Sequence, residues 1–150
     1  MAFAKYYLNE AEAPKPNRPT HLGVNVLLEW DGKLLLERRW DCGQWGLPGG
    51  RVKGREPETR AIARELYEET GLRLPEAAFQ KLRVFSERGR IASYQDGTVW
   101  RMVVILYRAR LEREPELRVS HESRELRWFT RQELKELPVA CTHRDMVDLF

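Results

Sequence analysis

The chain has 150 residues, enough for one domain to bury a full core without disulfides or structural metal. Its 26 basic and 23 acidic residues leave a net charge of +3, and the longest purely basic run is the pair Arg38-Arg39. That distribution argues against a face built to coat nucleic acid, and a hydrophobic fraction of 42% argues against wholesale disorder. Cys42 and Cys141 are the only cysteines, and with His21, His121 and His143 they form no CxxC or zinc spacing. No apolar leader core follows Met1, and the most apolar stretch, Met102 to Tyr107, is too short to cross a bilayer. The expectation is a cytoplasmic protein with reduced thiols and no membrane partner.

Residues 1–20 close on APKPNRPT, whose three prolines exclude regular helix or a central strand. They read as an N-terminal arm, packing on the domain or on a second subunit, ahead of a single domain over 21–150. HLGVNVLLEW alternates, with Val24, Val26, Leu28 and Trp30 on one face, and Asp31-Gly32 links it to a second apolar run, KLLLER. An Asp-Gly pair between two such runs predicts a hairpin, because a type I′ turn needs positive φ at both centres. The loop RWDCGQ then leads into WGLPGG. From Pro57, placed at the first helical position, to Thr70 the pattern is helical, with Ile62 and Leu66 on one stripe and Gly71 as the terminating left-handed residue. LRVFSER and TVWRMVVILYRARL predict two further strands, joined through RIASYQDG with a turn at Asp96-Gly97. ELRWFT predicts another. Thr130 is expected to cap a helix over RQELKEL, and Thr142 another over HRDMVDLF. Strands and helices mix without strict alternation, which predicts an α/β sandwich with a mixed sheet.

The segment from Gly50 to Leu72 carries the chemistry. Glu65, Glu68 and Glu69 are spaced i, i+3, i+4, so their carboxylates share one helical face and repel one another. A hard divalent cation, Mg²⁺ or Mn²⁺, is the natural compensation; a solvated acidic face is the plainer alternative. Gly49-Gly50 allows backbone to approach a ligand closely, and Arg64 can fix a carboxylate's orientation.

Gly50, Glu56 and the run Arg64-Glu65-Leu66-Tyr67-Glu68-Glu69-Thr70-Gly71-Leu72 fill every fixed position of the Nudix box, and the chain resembles the Nudix hydrolases over roughly residues 21 to 135. The resemblance implies a Nudix-like α/β/α sandwich and hydrolysis of a diphosphate linkage in a nucleotide-like substrate. It also implies that Glu65, Glu68 and Glu69, with the Gly50 carbonyl, ligate the metal. Glu56 would brace the loop-to-helix junction and Arg64 would orient the acids. Glu122 stands six residues before Trp128, as an extra carboxylate does in some members, and is the candidate fourth ligand or general base; an exposed loop glutamate is the alternative. Arg39 and Arg51 are candidates for holding the phosphates. Each has a plainer reading, Arg39 as a surface residue at a hairpin end and Arg51 as the partner of a helix acid.

Gly49 and Gly54 lack the lysine and hydroxyl of a P-loop, and no G-x-S-x-G or GxGxxG occurs. Trp30, Trp40, Trp45, Trp100 and Trp128 are assigned to core or interface packing in preference to base stacking. Lys81 to Arg90 contains neither the proline nor the tyrosine that marks some Nudix subfamilies, so the nucleoside and its attached group stay open. A non-catalytic nucleotide sensor and an RNA 5′-end pyrophosphohydrolase are the competing readings, and a homodimer is a common arrangement among related proteins.

Overall fold

The computed structural model describes residues 4–121 and 123–150. Its strands are β1 (Ala4–Leu8), β2 (His21–Trp30), β3 (Lys33–Arg39), β4 (Trp45–Gly46), β5 (Gly49–Arg51), β6 (Gln80–Phe85), β7 (Arg90–Tyr94), β8 (Val99–Leu111) and β9 (Ser123–Thr130). The helices are α1 (Glu58–Thr70), α2 (Arg131–Glu136) and α3 (Cys141–Val147). The strands run in the order β1-β7-β8-β2-β3-β4, with β5 on β2, β6 on β8 and β9 on β3. β2 and β8 pair in parallel from His21↔Met102 to Trp30↔Leu111, and every other named pairing is antiparallel. The sheet is therefore mixed, as the sequence predicts.

Side-chain alternation splits the core into two layers. Val24, Val26 and Leu28 of β2, Leu35 of β3, and Ile105, Tyr107 and Ala109 of β8 pack with Ala61, Ile62 and Leu66 of α1. Leu27, Leu34, Leu36, Val104 and Leu106 point the other way, onto Leu134 of α2 and Met146 and Val147 of α3. The product is an α/β/α sandwich, with α1 on one face of the sheet and α2 and α3 on the other. No helix among the described residues is long and apolar enough to cross a membrane.

Local signals mostly act as read. Asp31 and Gly32 have φ of 52° and 70°, the two positive values a type I′ turn needs. Gly71 ends α1 in the left-handed region and donates its N–H to the Tyr67 carbonyl at 2.8 Å. Thr130 and Glu133 form a reciprocal capping box at α2.

Three expectations need correction, and the N-terminal arm packs on the domain. Pro57 lies outside the helix, with ψ of 142°, and the helical residues begin at Glu58. Thr142 is not a cap: the Ala140 carbonyl already accepts from the His143 and Arg144 N–H groups, so α3 starts earlier and Thr142 is buried inside it. The supposed connection RIASYQDG contains strand β7. The N-terminal arm contributes β1, which pairs along β7 from Ala4↔Tyr94 to Leu8↔Arg90; the prolines lie beyond that strand.

Candidate active site

A cleft of about 710 Å³ opens between α1 and the sheet. Glu65, Glu68 and Glu69 line it from α1, Gly49, Gly50 and Arg51 from β5, and Glu37 and Arg39 from β3. Tyr6 of β1, Tyr94 of β7 and the loop residues Trp40 and Asp41 complete the wall opposite α1. The structure thus brings Gly50, Arg51, Glu65, Glu68, Glu69 and Arg39 to one cavity. Glu56, Arg64 and Gly71 do not line it: the first two are bonded to each other beside its α1 wall, and Gly71 ends α1. Glu122 lies outside the described residues; His121 beside it lines the cleft.

Arg64 organises the α1 wall. Its guanidinium donates to both Glu56 oxygens at 2.8 and 2.9 Å, to Glu65 Oε1 at 2.8 Å, to Glu68 Oε2 at 3.4 Å and to the Arg51 carbonyl at 2.9 Å. One planar fork therefore ties the loop acid, strand β5 and two helix acids together, a task suited to arginine's fixed donor geometry. Glu56 also accepts from the Lys53 N–H at 3.1 Å. The Arg64 hydrogen bonds hold the Glu56 carboxyl at about 2, well below the usual carboxylate range.

The three helix acids differ in burial. The Glu68 side chain is 51% exposed and that of Glu65 only 12%, while Glu69 is buried. Gly50 explains how Glu65 can lie against β5: a Cβ there would stand 2.4 Å from the Glu65 carboxyl carbon. Glu69 Oε1 accepts from the Gly49 N–H at 3.2 Å, and Glu69 Oε2 is buried with no hydrogen-bond partner among the described residues. Burial, and then the neighbouring Glu37, push the Glu69 carboxyl well above its ordinary value. Glu37 was not among the residues predicted. It is itself buried, accepts from Ser123 Oγ at 2.6 Å and lies 3.9 Å from Arg39 Nη1. A charged residue closing the apolar run LLLE was the available signal.

Two buried acids beside a half-buried one need a cation or protons. The donors are all carboxylate or carbonyl oxygens, and one buried oxygen is unpartnered, which fits a hard divalent ion. Among the described residues no three acidic, histidine or cysteine side chains yet enclose a common point, and Arg64 is the cation bonded to Glu65 and Glu68.

The other wall was harder to foresee. Arg39, expected to reach phosphates, donates Nε to Asp41 Oδ1 at 2.9 Å and Nη2 to Asp41 Oδ2 at 2.7 Å. It also donates to Tyr6 Oη at 2.9 Å, and that hydroxyl in turn donates to Asp41 Oδ2 at 2.6 Å. Burial alone would raise the Asp41 carboxyl, but the Arg39 hydrogen bonds outweigh it and hold it at about 2. Arg51 is exposed at the cleft, and its side chain makes no ion pair among the described residues; its carbonyl, not its guanidinium, meets the α1 network. His143, buried but lining the cleft, accepts at Nδ1 from the Leu47 N–H at 2.9 Å, and burial pushes the imidazole down to about 3.

The family model for the NUDIX domain matches residues 19–150. A MutT-like protein from Streptomyces ambofaciens is 30% identical over 131 residues, 87% of this chain and 77% of the relative. The nucleoside triphosphatase NudI from Enterobacter sp. (strain 638) is 33% identical over 107 residues, 70% of this chain and 74% of the relative. Among solved structures, a bifunctional NMN adenylyltransferase/ADP ribose pyrophosphatase from Francisella tularensis, complexed with AMP and a Mn ion, superposes with a TM-score of 0.73 at 20% identity. That match covers 90% of this chain and 42% of the Francisella chain, so this chain spans less than half of that protein and the likeness concerns the fold. The chain belongs to the NUDIX domain family and, with a relative named as a nucleoside triphosphatase, is a hydrolase of phosphoric anhydride bonds.

Proposed function

We propose that this chain hydrolyses the diphosphate bond of a nucleoside triphosphate or of a nucleoside diphosphate joined to another group, with Mg²⁺, or Mn²⁺ in its place, held by Glu65, Glu68, Glu69 and the Gly50 carbonyl. The observation that carries the reading is the buried, unpartnered Oε2 of Glu69 beside Glu37, Glu65 and a strand whose glycine admits a carboxylate. When bound, such an ion neutralises charge on phosphoryl oxygens and acidifies water.

The chain's own residues supply the rest. Arg64 fixes Glu65 and Glu68, so the carboxylates need little reorganisation as charge develops. Arg51, exposed at the cleft mouth, draws and orients the polyphosphate. Arg39 presents the remaining face of its guanidinium while Asp41 and Tyr6 hold it in place. A glutamate, Glu122 or one from the box, accepts the proton of the attacking water. No box acid is missing, which speaks against a sensor that has lost hydrolysis. A nucleotide substrate also suits the cytoplasmic setting expected from two free thiols.

The test is a substrate panel: nucleoside and deoxynucleoside triphosphates, ADP-ribose, nucleotide sugars and dinucleoside polyphosphates, each with Mg²⁺ or Mn²⁺. Hydrolysis of at least one class, abolished by chelator and restored by added ion, is expected. Full turnover in excess chelator contradicts the metal reading. Tight nucleotide binding without cleavage of any member favours a sensor.

A further inference from the structure

Of the five tryptophans, Trp45 is buried in the core, and Trp30 and Trp128 pack edge-on against each other. Trp100 stands edge-on to His21. Trp40 is different: it lines the cleft and remains 44% exposed. Leaving a large aromatic surface in water inside a cleft forfeits the burial that usually places such rings, so the residue lacks a packing explanation. The described fold does not place it in the core.

The segment carrying it is held from a direction outside the family match. The Ala4 N–H donates to the Asp41 carbonyl at 3.1 Å, Tyr6 Oη donates to the Asp41 carboxylate, and Arg39 donates to Tyr6 Oη. Strand β1 thus grips the residues on both sides of Trp40, and β1 precedes residue 19, where the NUDIX match begins. Arg124 adds a guanidinium 4.5 Å from the Trp40 ring centroid, covering one side. The position suits a nucleotide. Glu37 adjoins Glu69, and Trp40 follows three residues later, at most about 10 Å along the chain at strand rise. A sugar can bridge such a gap between a diphosphate at the glutamates and a ring at Trp40.

We propose that Trp40 is the stacking platform for the substrate's nucleobase, and that Tyr6 is a positioning residue through which β1 sets that platform. The inference rests on the hydrolase reading above and adds the feature that selects a base-bearing substrate over a bare polyphosphate. A flat ring offers every base a π-face, and stacking on it is tolerant of base identity.

The test measures equilibrium binding by calorimetry for ATP, GTP, CTP and UTP and, as a base-free probe, inorganic tripolyphosphate. The proteins are the wild type, Trp40→Ala, Trp40→Phe, Tyr6→Phe and the double variant Tyr6→Phe/Trp40→Ala. The wild type should bind at least one nucleotide more tightly than tripolyphosphate. Trp40→Ala should weaken that nucleotide by at least about 5-fold, as loss of one stacked base does, with tripolyphosphate changed far less. Trp40→Phe should restore most of the loss. Tyr6→Phe, which keeps its ring and loses only the hydroxyl, should show a smaller loss of the same kind, and the double variant should match Trp40→Ala because Tyr6 acts through Trp40. Nucleotides binding no better than tripolyphosphate, equal losses for both ligands in Trp40→Ala, or additive losses in the double variant would each overturn the proposal. Hydrolysis by the wild type is scored separately, so failure of the stacking platform and failure of the hydrolase reading give different patterns.

Discussion

The two walls of the cleft are built by opposite strategies. On the α1 side, Glu56, Arg64, Glu65, Glu68 and Glu69 come from one short stretch of chain, and helix α1 with the loop just before it sets their relation. On the far side, Tyr6, Arg39, Asp41 and Tyr94 come from β1, β3, a loop and β7, and only the sheet brings them together. The first wall carries charge that asks for a cation; the second consists of paired charges, phenols and an exposed indole. The contrast teaches a division of labour. Chemistry common to a family can be encoded locally, whereas the wall proposed to hold the base is assembled from distant segments, one of which lies before the family match.

The strongest way to break this division is to change the α1 wall alone. Glu69→Gln and Glu65→Gln should each lower kcat by orders of magnitude with the fold intact by circular dichroism, since each removes charge that acts at the transition state. Glu58→Gln, on the same helix but bonded to Tyr107 and Lys81, should keep wild-type kcat. Equal losses at Glu58 and Glu69 would end the assignment.

Arg64→Lys asks whether the wall needs a fork or merely a charge. A lysine cannot bridge Glu56, Glu65 and the Arg51 carbonyl together, so kcat should fall roughly 10- to 100-fold, the scale of losing a supporting partner. Wild-type kcat in that variant would show that charge suffices. On the opposite wall, Arg39→Ala should raise KM by about 10-fold or more while kcat changes less, the signature of lost binding common to ground and transition states. A selective fall in kcat would move Arg39 into the chemistry.

Acid stability offers a further contrast. The His143 pKa is depressed from the ordinary 6.5 to about 3 by burial, so its neutral form is the one the fold accommodates. Its contribution is fully present above pH 6.5 and is lost as pH falls towards 3. Between pH 6.5 and about 5.5 the carboxyls held low, Asp41 and Glu56, are at most about a tenth protonated in either state. Thermal melts of His143→Gln should therefore lose less stability across that interval than the wild type. An unchanged slope would remove His143 from the account. The smallest effect is expected at Thr130→Ala, which breaks the α2 capping box remote from the cleft and should cost about 1 kcal/mol with kcat unaltered.

Legibility in the sequence follows the same line between local and distant. Binary pattern, an Asp-Gly turn, a capping box and a C-terminal glycine are local signals, and each places its element within a few residues. The i, i+3, i+4 acids could be put on one face without any structure. Strand β1 escapes the pattern because only five residues pair there and the neighbouring prolines dominate the composition; β7 is equally short, and its one local signal is the Asp96-Gly97 turn that leads it onto β8. Thr142 was mistaken for a cap because Ala140, one residue before the helix, has no side-chain signal. Glu37 and Asp41 depend on tertiary partners, Ser123 and Tyr6, that no spacing rule connects.

The proposed hydrolysis requires the α1 carboxylates to hold a divalent ion. Mn²⁺ binding followed by electron paramagnetic resonance tests this without reference to any substrate. Saturable binding by the wild type, weakened at least about 10-fold in Glu69→Gln and little changed in Glu58→Gln, is the expected result. Equal Mn²⁺ affinity in the wild type and Glu69→Gln would contradict it.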